Sequence, residues 1–325
     1  MKKVECLLCP KRCQLVEGQR GDCKVRLNLE GKLKTLVYGK VCAAHIDPIE
    51  KKPLSHVLPA SRSFSIATAG CNLHCKFCQN WQISQREAEE TENHDLTPEN
   101  VVSLARQYAC ETIAYTYSEP VVFFEYMVDT ARLAHEAGIR NVWVTAAFIE
   151  RRPLDELCNW IDAANIDLKS IRDNYYSDVC YGRLKPVQEA IIRAVSSGVF
   201  VELTNLVIPT LNDSTEDIAD LCKWIVDGVG VDVPLHFSRF HPMYQLTNLP
   251  ATPVETLIKA RRIAMSEGIN YVYIGNVPDT EGSNTYCPIC KSLLIERRGY
   301  YVVLNRIGED GKCDVCGQGI PGIWK

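Results

Sequence analysis

Apolar runs recur through the middle of the chain and alternate with stretches of helical spacing. The β-rich runs are SFSIATAG (63–70), TIAYTY (112–117), NVWVTAAF (141–148), NIDLK (165–169), VFVELTNLVIP (199–209) and VPLHFSRF (233–240). Amphipathic stretches between them begin at recognisable start signals. Thr97 precedes a proline at the first helical position, Ser214 precedes an acidic first turn, and Thr252 to Glu255 has capping-box spacing. Gly138 and Gly268 close helices before a new strand. About six alternating β and α units predict an α/β fold with a parallel sheet and right-handed crossovers. Periodicity alone leaves an open doubly wound sheet and a curved partial barrel as alternatives.

The flanks read differently, and three segments follow. Residues 1–60 form a cysteine-bearing leader, and its closing stretch HIDPIEKKPLSHVLP carries three prolines that predict an irregular path. Residues 61–280 hold the alternating core, and residues 281–325 form a short cysteine-bracketed tail. The acidic stretch REAEETENHD (86–95) predicts an exposed loop.

Composition changes the picture in two places. With 325 residues, 46% hydrophobic and 23% charged, the chain reads as an ordinary globular enzyme with no span of membrane length and no signal peptide, so the cytoplasm is expected. Sixteen cysteines in that setting imply metal and thiolate chemistry rather than disulfides. The net charge of −4 hides a basic leader, 12 Lys and Arg against 6 Asp and Glu over residues 1–52. A strongly basic footprint is absent overall, so nucleic acid is not the expected partner.

The densest chemistry is AGCNLHCKFCQNW, with Cys71, Cys75 and Cys78 inside eight residues. Their i, i+4, i+7 spacing is also that of a buried helical stripe, but the stretch follows a strand-like run and a glycine, and polar residues interleave it. Zinc would need a fourth ligand, for which His74 is awkwardly placed between two thiols. A third reading is an iron–sulfur cube held by three thiolates, which leaves one iron open to another ligand.

Cys-x3-Cys-x2-Cys, with Phe77 before the last cysteine, resembles the signature of the radical S-adenosylmethionine (SAM) superfamily. That resemblance implies a 4Fe–4S cluster whose open iron is chelated by SAM, reductive cleavage of SAM to a 5′-deoxyadenosyl radical, and hydrogen abstraction from a substrate. It favours a partial (β/α)6 barrel with function at the C-terminal strand ends. YTYSEP stands where the superfamily has Gly-Gly-Glu-Pro, so Tyr117, Ser118 and Glu119 are expected beside SAM. IDLK matches the Asp-Leu-Lys of glycyl-radical activating enzymes such as the pyruvate formate-lyase activase. By that match Lys169 would contact the SAM carboxylate and Asp167 a cation or SAM, and RFHP would place His241 toward the nucleoside. The activases' Asp-Thr-Asn-Gly is VTAAF here, which retains Thr145 and lacks the carboxylate.

Two further thiol sets flank the core. Cys287, Cys290, Cys313 and Cys316 form two Cys-x2-Cys pairs suited to tetrahedral coordination, with zinc first and rubredoxin-type iron second. Cys6, Cys9, Cys13 and Cys23 form a second set for zinc or an auxiliary iron–sulfur cluster. Cys42, Cys110, Cys158, Cys180 and Cys222 read as buried small hydrophobes. CLLCPKRCQLVEGQRGDCKVR, GKVCAAHIDPIEKKPLSHVLP, GCNLHCKFCQNWQISQ, LVIPTLND and the rubredoxin-like close together resemble the AmmeMemoRadiSam-system radical SAM enzymes, relatives of the activase. The expected partners are SAM, an electron donor such as ferredoxin or flavodoxin, and an unidentified protein or small-molecule substrate. Activation of a glycyl-radical enzyme, RNA modification, and a non-enzymatic electron-transfer or interaction module are the alternatives.

Overall fold

The computed structural model describes residues 3–277 and 281–325, so the expected junction at 280/281 lies outside the described residues. One eight-stranded sheet organises the chain: β1 (Ala43–Pro48), β2 (Arg62–Ala67), β3 (Thr112–Tyr115), β4 (Arg140–Thr145), β5 (Ala163–Asp167), β6 (Phe200–Val207), β7 (Leu235–Arg239) and β8 (Val272–Gly275). Each strand pairs with its neighbour in chain order. β2 to β8 are parallel, and β1 adds to β2 antiparallel. A doubly wound sheet would need a reversal of strand order, and none occurs in this series. Right-handed crossovers therefore send every helix to one face, and the other face becomes the lumen of an incomplete barrel.

All six expected runs are strands, trimmed mainly at their C-terminal ends. β8 makes a seventh parallel strand, and β1 is a departure from the irregular path expected for the leader. Ala44 and His45 are exposed on this edge while Asp47 is buried, so the strand lacks a clean alternation, and its polar composition and Pro48 disguise it further.

The helix starts are set as the caps imply, with one exception. Thr97 and Ser214 accept hydrogen bonds from the backbone N–H groups of Asn100 and Asp217. The Thr252 capping box does not form. Its hydroxyl is buried instead, donating to the Val207 carbonyl (2.6 Å) and accepting from Phe240 N–H, so it joins two strand ends. The acidic stretch folds in part into a short turn whose Glu87 and Glu89 pair with Arg20 of the leader.

Strand alternation then furnishes the lumen. On β6, Glu202 lies at the N-terminal end, while Thr204 and Leu206 line the cavity above it. Glu202 is fully buried and accepts from Ser55 N–H (3.0 Å) and His56 N–H (2.7 Å), with His236 Nε2 at 2.6 Å. Asn165 donates to the Pro53 carbonyl, and Leu54 and Val57 pack on Ala114, Val142 and Ala163. The leader thus plugs the bottom of the barrel.

The tail locks that plug in place. Leu58 N–H donates to the Ile323 carbonyl and Ile323 N–H to the His56 carbonyl, while Arg297 Nη2 donates to the Ser55 carbonyl. Tyr271 and Tyr273 enter the tail's own small core with Leu294, Ile295, Ile307 and Ile320.

Candidate active site

The strand that ends at Ala67 runs through Gly70 into the three-cysteine loop. Gly70 has φ +94°, and a Cβ there would lie 2.7 Å from the Cys23 carbonyl oxygen and 2.7 Å from Val25 Cγ1. Glycine at this position lets the loop sit directly against the leader. His74 N–H donates to the Cys180 carbonyl and Lys76 N–H to that of Val179, which staples the loop to the five-residue π-helical segment Tyr176–Cys180. Leu73 N–H points at Cys71 Sγ (3.4 Å), and the Ser84 hydroxyl lies 3.2 Å from Cys78 Sγ.

Cys71, Cys75 and Cys78 line one cavity of about 740 Å³, a volume in the range of ligand sites. The same walls hold Phe77, Tyr117, Ser118, Glu119, Asp167 and Lys169, brought together from the ends of β2, β3 and β5. His241 is not among the lining residues and is exposed, and on β7 it is His236 and Ser238 that face the cavity. His74 offers no metal ligand in this arrangement, because Nδ1 lies 2.7 Å from Gln85 Oε1 and Nε2 2.9 Å from Asp22 Oδ2. That removes the ligand which the zinc reading of the loop required.

Each wall residue has a distinct setting. Tyr117 adopts φ +63°, the left-handed conformation that a glycine would take without strain, and its carbonyl accepts from Asn80 Nδ2 (2.7 Å). Ser118 Oγ is buried with no hydrogen-bond partner among the described residues. Glu119 turns away from ligand duty: its carboxylate accepts from Thr145 Oγ1 (2.5 Å), Ala146 N–H (2.8 Å) and Val121 N–H (3.1 Å). Burial raises its pKa against those bonds. Thr145, kept where the activase motif is otherwise lost, braces this turn by also accepting from Ala147 N–H. Lys169 Nζ pairs with Asp167 Oδ2 at 2.8 Å and lies 5.8 Å from the Phe77 ring centre. Burial works to lower its pKa, but Asp167 and the thiols beside it prevail and hold the ammonium charged.

Cys180 was not legible as part of this site. It is buried as expected of a packing residue, yet its thiol is the chief cause of Cys75 being held below the ordinary thiol range. Cys180 is not among the residues lining the cavity, whereas the three loop thiols are. In the sequence it was only one of five isolated cysteines.

The terminal thiols form two separate sets. Among the described residues, Cys287, Cys290, Cys313 and Cys316 are the one group of metal-ligand side chains whose ligand atoms lie within 4.8 Å of one another. Cys287 and Cys316 sulfurs are 3.6 Å apart, as are those of Cys290 and Cys313. A tetrahedron with metal–sulfur bonds of about 2.3 Å has edges of about 3.8 Å, so this set fits a single ion. Cys6, Cys9, Cys13 and Cys23 line a separate small pocket with Arg26, Asp22 and Asn72.

Comparison with known proteins places these features in a class. Residues 65–222 match the model of the radical SAM superfamily. An uncharacterized protein of Methanocaldococcus jannaschii is 47% identical over 319 residues, spanning 98% of this chain and 95% of its own length. A pyruvate formate-lyase-activating enzyme of Clostridium pasteurianum is 25% identical over 57% of this chain and 83% of its own. Among solved structures, Streptococcus suis SuiB bound to S-adenosylmethionine superposes with a TM-score of 0.52 at 13% identity, over 70% of this chain and 52% of that one, a likeness of fold.

The chain carries a radical SAM domain over residues 65–222. Such a domain implies an enzyme that uses a 4Fe–4S cluster and SAM, and the α/β barrel is shared with the SuiB fold. Among the described residues no helix is long and apolar enough to cross a membrane.

Proposed function

We propose that Cys71, Cys75 and Cys78 hold the 4Fe–4S cluster, that SAM occupies the cavity they line, and that the product is a radical directed at a substrate in the same chamber. The observation that carries this reading is the convergence of three thiols, a charged Lys169–Asp167 pair and the unpartnered Ser118 hydroxyl on one cavity. When bound and reduced, the cluster supplies the electron that breaks the sulfonium bond of SAM.

The chain's own residues account for the rest. Lys169 presents a fixed positive charge suited to the SAM carboxylate, and Asp167 holds that ammonium in place. Ser118 offers a hydroxyl to a polar group of the nucleotide or amino acid. Phe77 walls the loop, and Glu119 and Thr145 fix the turn after β4. Tyr117 closes the wall toward β1, where its hydroxyl donates to Asp47. His241, being exposed, carries no role in this arrangement.

We assign zinc to the compact C-terminal thiols. The N-terminal set, which lines its own small pocket, can hold zinc or an auxiliary iron–sulfur cluster, since four thiolates suit either. The motif-level resemblance to the AmmeMemoRadiSam-system enzymes belongs to this reading too. The test is anaerobic reconstitution, reduction and addition of SAM: 5′-deoxyadenosine and methionine should form, and Cys75→Ala should abolish both. An unchanged yield in that variant would refute the assignment.

A further inference from the structure

Below Tyr117 the cavity is walled by an amine that nothing in the SAM reaction uses. Lys52, on the leader plug, has a side chain only 1% exposed and lines the same chamber as the three loop thiols. Its Nζ lies 2.6 Å from Asp47 Oδ2 and 4.9 Å from the centre of the Tyr117 ring. Asp47 is shared. Lys51 Nζ reaches its other oxygen at 2.9 Å, and the Tyr117 hydroxyl donates to the same oxygen that Lys52 engages.

We propose that Lys52 is a nucleophile that forms a Schiff base with a carbonyl substrate, a 2-oxo acid or an aldehyde bearing an anionic group, inside the radical chamber. The geometry supplies each requirement. One carboxylate is divided among three donors, so Lys52 competes for its counter-ion in a desolvated site and beside a second cation, two settings that activate lysine. Burial, opposed by Asp47, brings the Lys52 pKa down to about 8, whereas three hydrogen bonds keep the Asp47 carboxyl charged although burial opposes them. Lys51, half-exposed at the cavity wall, offers a positive charge to the substrate's anionic group.

The step balances without an oxidant. The ammonium releases one proton to water, and the freed amine pair forms a bond to the carbonyl carbon while the C=O π pair moves to oxygen. After the oxygen gains protons and leaves as water, a protonated imine remains on Lys52. Such an adduct would hold the carbon skeleton at a fixed place opposite the thiol loop.

This proposal rests on the reading of the cavity as a substrate chamber, but its test needs neither cluster turnover nor SAM. Full-length protein is incubated with pyruvate, or separately glyoxylate, and sodium cyanoborohydride, and then mapped by peptide mass spectrometry. The expected result is an adduct on Lys52 equal to the carbonyl compound less one oxygen atom, formed faster than on exposed lysines such as Lys185. Lys52→Arg should remove that adduct while the circular dichroism spectrum is kept, and Lys51→Gln should slow its formation several-fold. Absence of a Lys52 adduct with both compounds, or labelling no faster than at exposed lysines, overturns the proposal. Either outcome leaves SAM cleavage to stand or fall separately.

Discussion

Gly70→Ala tests whether the leader's close approach fixes the thiol loop. Two costs follow from the structure. At φ +94° an alanine meets the left-handed penalty, about 1–2 kcal/mol. Its Cβ would also lie 2.7 Å from the Cys23 carbonyl oxygen and from Val25 Cγ1, and the oxygen belongs to backbone that cannot swing aside. Overpacking of this kind costs about 1–3 kcal/mol, so the sum is about 2–5 kcal/mol. Gly138→Ala is the matched control, because its φ is +73° and no atom lies within 4 Å of the added carbon. It should lose the conformational part alone. Urea unfolding of both variants beside the parent protein measures the difference, and iron content after anaerobic reconstitution measures whether the loop still binds. Gly70→Ala should be the less stable by about 1–3 kcal/mol and hold less iron. Equal stability of the two variants would show that the leader does not press on the loop, and the account of its placement would fail.

Thr145→Val removes a donor from the buried Glu119 and an acceptor from Ala147 N–H, so it should destabilise by about 1.5–3 kcal/mol and lower the 5′-deoxyadenosine yield. Parent-like stability by denaturant titration would deny Glu119 its bracing role. Glu202→Ala leaves Ser55 N–H, His56 N–H and His236 without their acceptor and should cost about 3–5 kcal/mol, with limited proteolysis opening the chain near residues 49–58 first. Chelation, or Cys290→Ser, should loosen the tail and expose Tyr271 and Tyr273, read as a changed near-ultraviolet signal with far-ultraviolet intensity from the barrel retained. An unaltered tyrosine signal would show that the tail core stands without metal.

The barrel was legible because its strands are short apolar runs bounded by glycine, proline and charged helix starts. The runs overshot at residues 68–70, 116–117, 146–148 and 168–169, where many apolar or small residues belong to the loops that build the site. Local pattern cannot separate a buried loop from a strand end. β1 was hidden by its polar edge, and its pairing with β2 is set by contacts outside its own sequence. The three thiols announced themselves by spacing, and Lys169, Asp167 and Glu119 by resemblance. Cys180 and Lys52 had no such signal, since their positions follow from a π-helical turn and from the leader folding under the barrel. His241 was the opposite case, a residue singled out by a short motif that the chain leaves at the surface.

The most direct test of the central claim is whether SAM reaches the cluster's fourth iron, because the Cys180 thiol acts on Cys75 and is a candidate fourth ligand. Electron–nuclear double resonance of the reduced cluster, with SAM labelled at its amino nitrogen and carboxylate, reads this. The account predicts hyperfine coupling to both labels in the parent protein and in Cys180→Ala alike. A parent cluster indifferent to SAM, with coupling gained only once Cys180 is removed, would mean that a fourth thiolate fills the corner and would contradict it.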